Sequence, residues 1–140
     1  MISAEIKNER MINVSICVDS ALCLAADIAK IIDVPYDYYW NVGEKRDKSR
    51  NYLNNFSRWG IECNANSVEG VDIALDELFD RISNIVYSVS RLPLDCRISV
   101  NFSIDENNSV FGFGIDKRHV RLAAAIGAEI DMSFRVRVEG

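Results

Sequence analysis

Ile12, Val14, Ile16 and Val18 alternate with Asn13, Ser15 and Cys17. A period of two with one polar side predicts a half-buried strand. Asp19 or Ser20 then offers a side-chain oxygen to cap a helix. Leu24, Ile28, Ile31 and Ile32 give that helix an apolar stripe up to about Ile32. Pro35 closes it, because proline disfavours helical conformation in the residue before it. A loop is expected from there to about Asn55. The segment Phe56 to Asn64 reads as a second strand, with Trp59, Ile61 and Cys63 on one side and Arg58, Gly60 and Glu62 on the other.

The strongest helical pattern follows. Ser67 is a plausible cap, and Val71, Leu75, Leu78, Phe79, Ile82, Ile85, Val86 and Val89 recur at helical spacing before Pro93. Asp72, Asp76, Glu77 and Asp80 fall away from that stripe. Burying eight such side chains contributes about 1.5–3 kcal/mol each before entropy, which places this helix at the centre of the core. Ile98, Val100, Phe102 and Ile104 alternate again. Asp105 to Ser109 is rich in turn formers, and Val110 to Ile115 reads as the returning strand of a hairpin. Asp116 caps a short helix that stops at Gly127. Ile130, Met132, Phe134, Val136 and Val138 alternate in a last strand.

The predicted order is β-α-β-α-β-β-α-β. Each of the five strands has one polar side, so the expected fold class is α+β: a mostly antiparallel sheet with helices packed on one face. The 140 residues fit a single domain, 1–140, without repeats or low-complexity segments.

Composition narrows the function classes. Hydrophobic residues make up 49% and charged residues 26%, as in ordinary globular chains. A net charge of −5 argues against a general nucleic-acid binder, whose footprint is basic. It suits a basic protein partner and equally suits solubility alone. Cys17, Cys23, Cys63 and Cys96 form no close pairs, and His119 is the only histidine, so no metal site is expected. No signal-peptide or membrane-spanning pattern is visible, which predicts a cytoplasmic protein with reduced thiols.

The candidate chemistry is sparse. A Cys–His nucleophile pair would need His119 beside one of the four cysteines. Its position in the first turn of a predicted helix reads instead as exposed or half-packed. Phe111 to Gly114, "FGFG", lacks the lysine and the spacing of a phosphate loop and reads as strand. Asp72, Asp76 and Asp80 form a ridge at four-residue spacing, with Glu77 beside it. Its two readings are a solvated face and a docking face for a basic partner. Lys45, Arg46, Lys48, Arg50 and Arg58 form the opposite pole near Tyr36, Tyr38, Tyr39 and Trp40, a combination that would suit a stacking-and-phosphate surface for RNA, against which the overall acidity counts. These aromatics either pack on the core or form a protein-binding hot spot of the residue types that favour one.

The stretch Ile31–Ile32, Pro35, Trp40 and "GEKR" resembles the bacterial family described as domain of unknown function 4279. Trp59, opening a strand before a long acidic-apolar helix, adds to the likeness. So does "HVRLAAAIGAEIDMSF" near the end. The resemblance spans about residues 10 to 138 and implies a fold, with no activity, cofactor or ligand attached. Tyr36 departs from the pattern, where a threonine-like residue is expected after Pro35.

The sequence therefore predicts a non-enzymatic, cytoplasmic binding protein without cofactor, monomeric or homodimeric. Its concrete form is an immunity protein that occludes a basic toxin domain through charge complementarity. The contact residues expected are Asp72, Asp76, Glu77, Asp80, Tyr38, Tyr39, Trp40 and Arg46. The alternative is a small-molecule or nucleotide-binding module with a cleft near Trp40, Arg46 and Trp59.

Overall fold

The strict alternation of the first strand builds β1, Ile12–Ser20, at the centre of the sheet. The structure is a computed structural model that describes residues 12–45, 53–83, 86–105 and 114–135. The remaining described elements are α1 (Ala25–Ile32), β2 (Tyr38–Trp40), β3 (Ser57–Ala65), α2 (Val68–Arg81), α3 (Val86–Val89), β4 (Arg97–Asp105), α4 (Lys117–Ala125) and β5 (Glu129–Arg135). The strand order is β2-β3-β1-β4-β5. β1 pairs antiparallel with β3 and β4, and β2 antiparallel with β3. β4 and β5 run parallel, so the α+β sheet is mixed though mostly antiparallel.

One side of the sheet carries the core. Ile12, Val14, Ile16 and Val18 of β1 lie beside Trp59 and Ile61 of β3 and Ile98, Val100, Phe102 and Ile104 of β4. Ile28 and Ile32 of α1, Val71, Leu75 and Leu78 of α2, and Ala123 of α4 pack into the same cluster. The described helices thus cover one face, as the polar side of each strand implied.

Several boundaries differ from the sequence reading. β1 runs on to Ser20, and α1 starts at Ala25 behind Leu24. Ser20 does not cap the helix: its hydroxyl accepts from the Leu22 and Cys23 amides and donates to Asp95. The same short polar side chain serves a turn as readily as a cap. The long helix ends at Arg81, and Val86–Val89 form a separate short helix. The expected loop after Pro35 contains an edge strand, Tyr38–Trp40. The predicted turn and return strand at 105–115 fall mostly outside the described residues. Gly114 and Ile115 are described and lie in no strand. β4 has β1 on one edge and β5 on the other. The caps at Ser67 and Asp116 form as expected, accepting from the Gly70 and Arg118 amides. Gly127 holds a left-handed φ of 69° after α4.

Candidate functional site

The aromatic stretch divides between the two faces of the sheet, because successive strand residues point to opposite sides. Tyr38 pairs with Gly60 and Trp40 with Arg58, on the face that no described helix covers. Tyr39 pairs with Trp59, on the helix-covered face.

On the uncovered face the side chains close on one another. The Tyr38 hydroxyl lies 2.8 Å from Cys17 Sγ and 3.0 Å from Ser15 Oγ. Asn101 donates to Cys17 Sγ at 3.3 Å and to Ser99 Oγ at 2.8 Å. Burial, and then the neighbouring Cys17, hold the Tyr38 phenol well above its ordinary range. Arg58 donates to both Asp19 oxygens at 2.7 and 2.8 Å, while its guanidinium sits 5.0 Å over the Trp40 ring. The Asp19 hydrogen bond raises its already high pKa further. Trp40 donates its indole N–H to the Phe56 carbonyl. Tyr38 and Trp40 are thus held by their own chain.

Tyr36 and Tyr39 are placed differently. Asp33 adopts a left-handed φ of 57° and ends α1, and Pro35 turns the chain back toward the sheet. Arg81, in the last turn of α2, donates to both Asp37 oxygens and to the Pro35 carbonyl. The Asp37 carboxylate also accepts from the Glu62 amide at 2.8 Å. Tyr36 leaves this clamp half exposed and meets Tyr39, also half exposed, edge to face with ring centroids 4.9 Å apart. With Ala25, Ala26 and Asn41 the two tyrosines line a hollow of about 210 Å³. Asn41 is fixed through the Ala25 amide, which donates to its Oδ1 at 2.8 Å.

The acidic ridge splits as well. Arg81 ties the C-terminal end of α2, with Glu77 and Asp80, to the segment carrying Tyr36. Both acids are exposed, and Glu77 accepts from the Cys63 thiol at 2.9 Å. Asp72 and Asp76 turn to α4 instead. Asp76 Oδ1 lies 2.7 Å from His119 Nε2 and 3.0 Å from Arg118. Asp72 Oδ1 lies 3.6 Å from His119 Nδ1, beyond hydrogen-bond reach. His119 is only 1% exposed and stacks on Phe79, which corrects the expectation of an exposed or half-packed residue. Its burial is the inner stripe of α4, His119, Ala123 and Ile126, at spacings of four and three. That stripe was readable in the sequence, but the carboxylates that receive the imidazole lie 43 residues away or more.

Of the expected contact residues, Tyr39 meets Tyr36, which was not among them, while Glu77 and Asp80 lie exposed on α2, close in sequence to the Arg81 that bonds the Pro35 carbonyl. Tyr38 and Trp40 lie on the opposite face, and Asp72 and Asp76 serve α4. Arg46 lies outside the described residues. Among the described residues Trp40 and Trp59 do not share a cleft: the two indoles sit on opposite faces of the sheet, and Trp59 is fully buried.

The chemistry of the described residues is modest. His119 faces carboxylates. Burial, and then Glu77, push the Cys63 thiol up to about 11, and burial also raises Cys96, so neither is a ready thiolate at neutral pH. No group of metal-ligating residues occurs among the described residues, and none of their helices is long and apolar enough to cross a membrane.

The family described as Domain of unknown function (DUF4279) matches residues 12–136. The chain belongs to the DUF4279 family. No curated protein and no solved structure matches it. Within this DUF4279 chain, the Asp37 clamp has a testable signature. The Arg81 hydrogen bond holds the Asp37 carboxyl below its ordinary value of 3.8. A carboxylate with a depressed folded pKa contributes stability above its unfolded value, and that stability is lost as pH falls through the folded value. Asp76 and Asp95 are lowered as well and act in the same direction. Asp37→Asn should therefore lose less stability than wild type on acidification below about pH 4. Urea midpoints at about pH 6 and about pH 3 check this; an equal drop in both proteins would contradict it.

Proposed function

We propose that this protein acts without catalysis, as a cytoplasmic binding protein whose contact surface centres on Tyr36 and Tyr39. The observation that carries the reading is the half-exposed edge-to-face tyrosine pair over a small hollow, pinned from behind by Arg81, Asp37 and Asn41. Tyrosines held in place offer large contact area with little ordering entropy left to lose. Exposed Glu77 lies one helical turn before Arg81 on α2, and the chain as a whole carries −5. An aromatic centre on an acidic chain fits a basic protein surface, and the charge speeds encounter. The concrete form is an immunity protein that covers the active surface of a basic toxin domain.

Co-expression tests this. A basic protein encoded beside the gene should arrest growth alone and be harmless when this chain is co-produced. The double variant Tyr36→Ala/Tyr39→Ala should fold yet fail to protect, with binding weakened by roughly thirtyfold or more, as for an interface hot spot. Protection undiminished in the double variant would place the contact elsewhere.

A further inference from the structure

The two ends of the sheet are built differently. At one end β2 is three residues long, and Tyr38 and Trp40 on it are tied down by their own chain. A short, blocked edge strand resists further pairing. At the other end β5 is seven residues long, Glu129–Arg135, and among the described strands only its inner edge is used, by β4. Register places Ile130, Met132 and Phe134 beside Val100, Phe102 and Ile104, on the side that carries the core. Those β4 residues are buried, whereas Ile130, Met132 and Phe134 are 42%, 49% and 64% exposed. Among the described residues an apolar row continues the core to the sheet's edge and stops there half exposed.

The sequence of β5, "EIDMSFR", is complementary to itself when reversed. Antiparallel pairing centred on Met132 sets Met132 against Met132 and Ile130 against Phe134 on the apolar side. On the polar side it sets Asp131 against Ser133, and the acidic position 129 against the basic position 135. All seven residues are used, each apolar residue meets an apolar one, and no like charges fall opposite each other. Slipping by one residue sets polar positions against apolar ones. Centring on Asp131 instead brings two aspartates face to face. Glu129 already accepts from Arg97 of its own chain at 2.8 and 3.0 Å, and a carboxylate has lone pairs left for a second donor.

We propose that β5 pairs antiparallel with β5 of a second copy of this chain, with Met132 on the twofold axis. The two five-stranded sheets then form one continuous sheet, with the helices of both copies on the same side. A twofold contact of this kind closes and stops at a dimer. It uses the opposite end of the sheet from Tyr36 and Tyr39, so the dimer presents two copies of the proposed contact surface, and either reading can fail without the other.

The test is sedimentation velocity on the full chain across a concentration series. The expected result is a concentration-dependent species of twice the chain mass. Met132→Lys sets two cations against each other at the axis and should weaken dimerisation by roughly thirtyfold or more, with the circular dichroism spectrum kept. Glu129→Arg and Arg135→Glu, each alone, set like charges opposite and should be monomeric where wild type is dimeric. Mixed together they restore both opposite-charge pairs and should form a heterodimer. That mixture decides the matter if Met132→Lys does not fold. A monomer at every concentration, growing filaments, a dimer indifferent to these variants, or a mixture no better than its parts would each overturn the proposal.

Discussion

Trp59→Ala should lower the unfolding free energy by about 3–5 kcal/mol, the range for emptying a large aromatic site in a packed core. Trp59 is fully buried on β3, between Val18 of β1 and Tyr39 of β2 in the register, within the cluster that holds Ile28, Ile32 and Leu78. A domain of this size has only about 5–15 kcal/mol in total, so the variant should sit close to unfolding. The indole N–H finds no acceptor among the described residues. The loss is therefore one of volume and contact, with no hydrogen bond involved. Trp59→Phe should for that reason cost clearly less than Trp59→Ala, since it fills most of the site and removes an unpartnered donor. Urea titrations with unchanged slope measure both. Equal losses in the two variants would show that the indole N–H has a partner that matters.

Gly60→Val should cost about 2–4 kcal/mol, combining overpacking with the loss of the Tyr38 hydroxyl's contacts. A Cβ at Gly60 would lie 2.3 Å from Tyr38 Cζ and 2.6 Å from its hydroxyl oxygen. Glycine leaves room here for the close passage of the ring across the strand. The valine variant must expel that ring, and with it go the contacts to Cys17 and Ser15. Cys17 is fully buried in the wild type. With Cys23, Cys63 and Cys96 changed to serine, Cys17 should react slowly with a thiol reagent in the parent and rapidly after Gly60→Val. Tyr38→Phe keeps the ring and loses only the hydroxyl, so it should cost about 1 kcal/mol and leave Cys17 slow to react. Rapid labelling of Cys17 in the parent would refute the role given to Tyr38.

The elements legible in the sequence are those whose signal is local. β1 and β4 alternate cleanly because one side of the sheet meets helices and the other does not. The caps at Ser67 and Asp116 are single residues next to the pattern they close. β2 was hidden because "YYW" is aromatic at every position and shows no period of two. The parallel pairing of β4 and β5 is set by a helical crossover, and no residue in either strand encodes its partner's direction. The start of α1 was misplaced because Ser20 spends its hydroxyl on a turn and on Asp95, 75 residues away. The site follows the same division. The aromatic stretch and the acidic ridge were readable as patterns. Which of them share a corner was not, because Arg81, Asp37 and Pro35 join segments more than forty residues apart.

The most direct measurement of the central claim is affinity capture with the tagged full chain produced in its native cells, at low and at high salt. Wild type should retain one stoichiometric basic protein at low salt and release much of it at high salt. Tyr36→Ala/Tyr39→Ala should retain none, while keeping the wild-type circular dichroism spectrum. A partner held equally by that double variant, or a small molecule retained in place of any protein, would contradict the account.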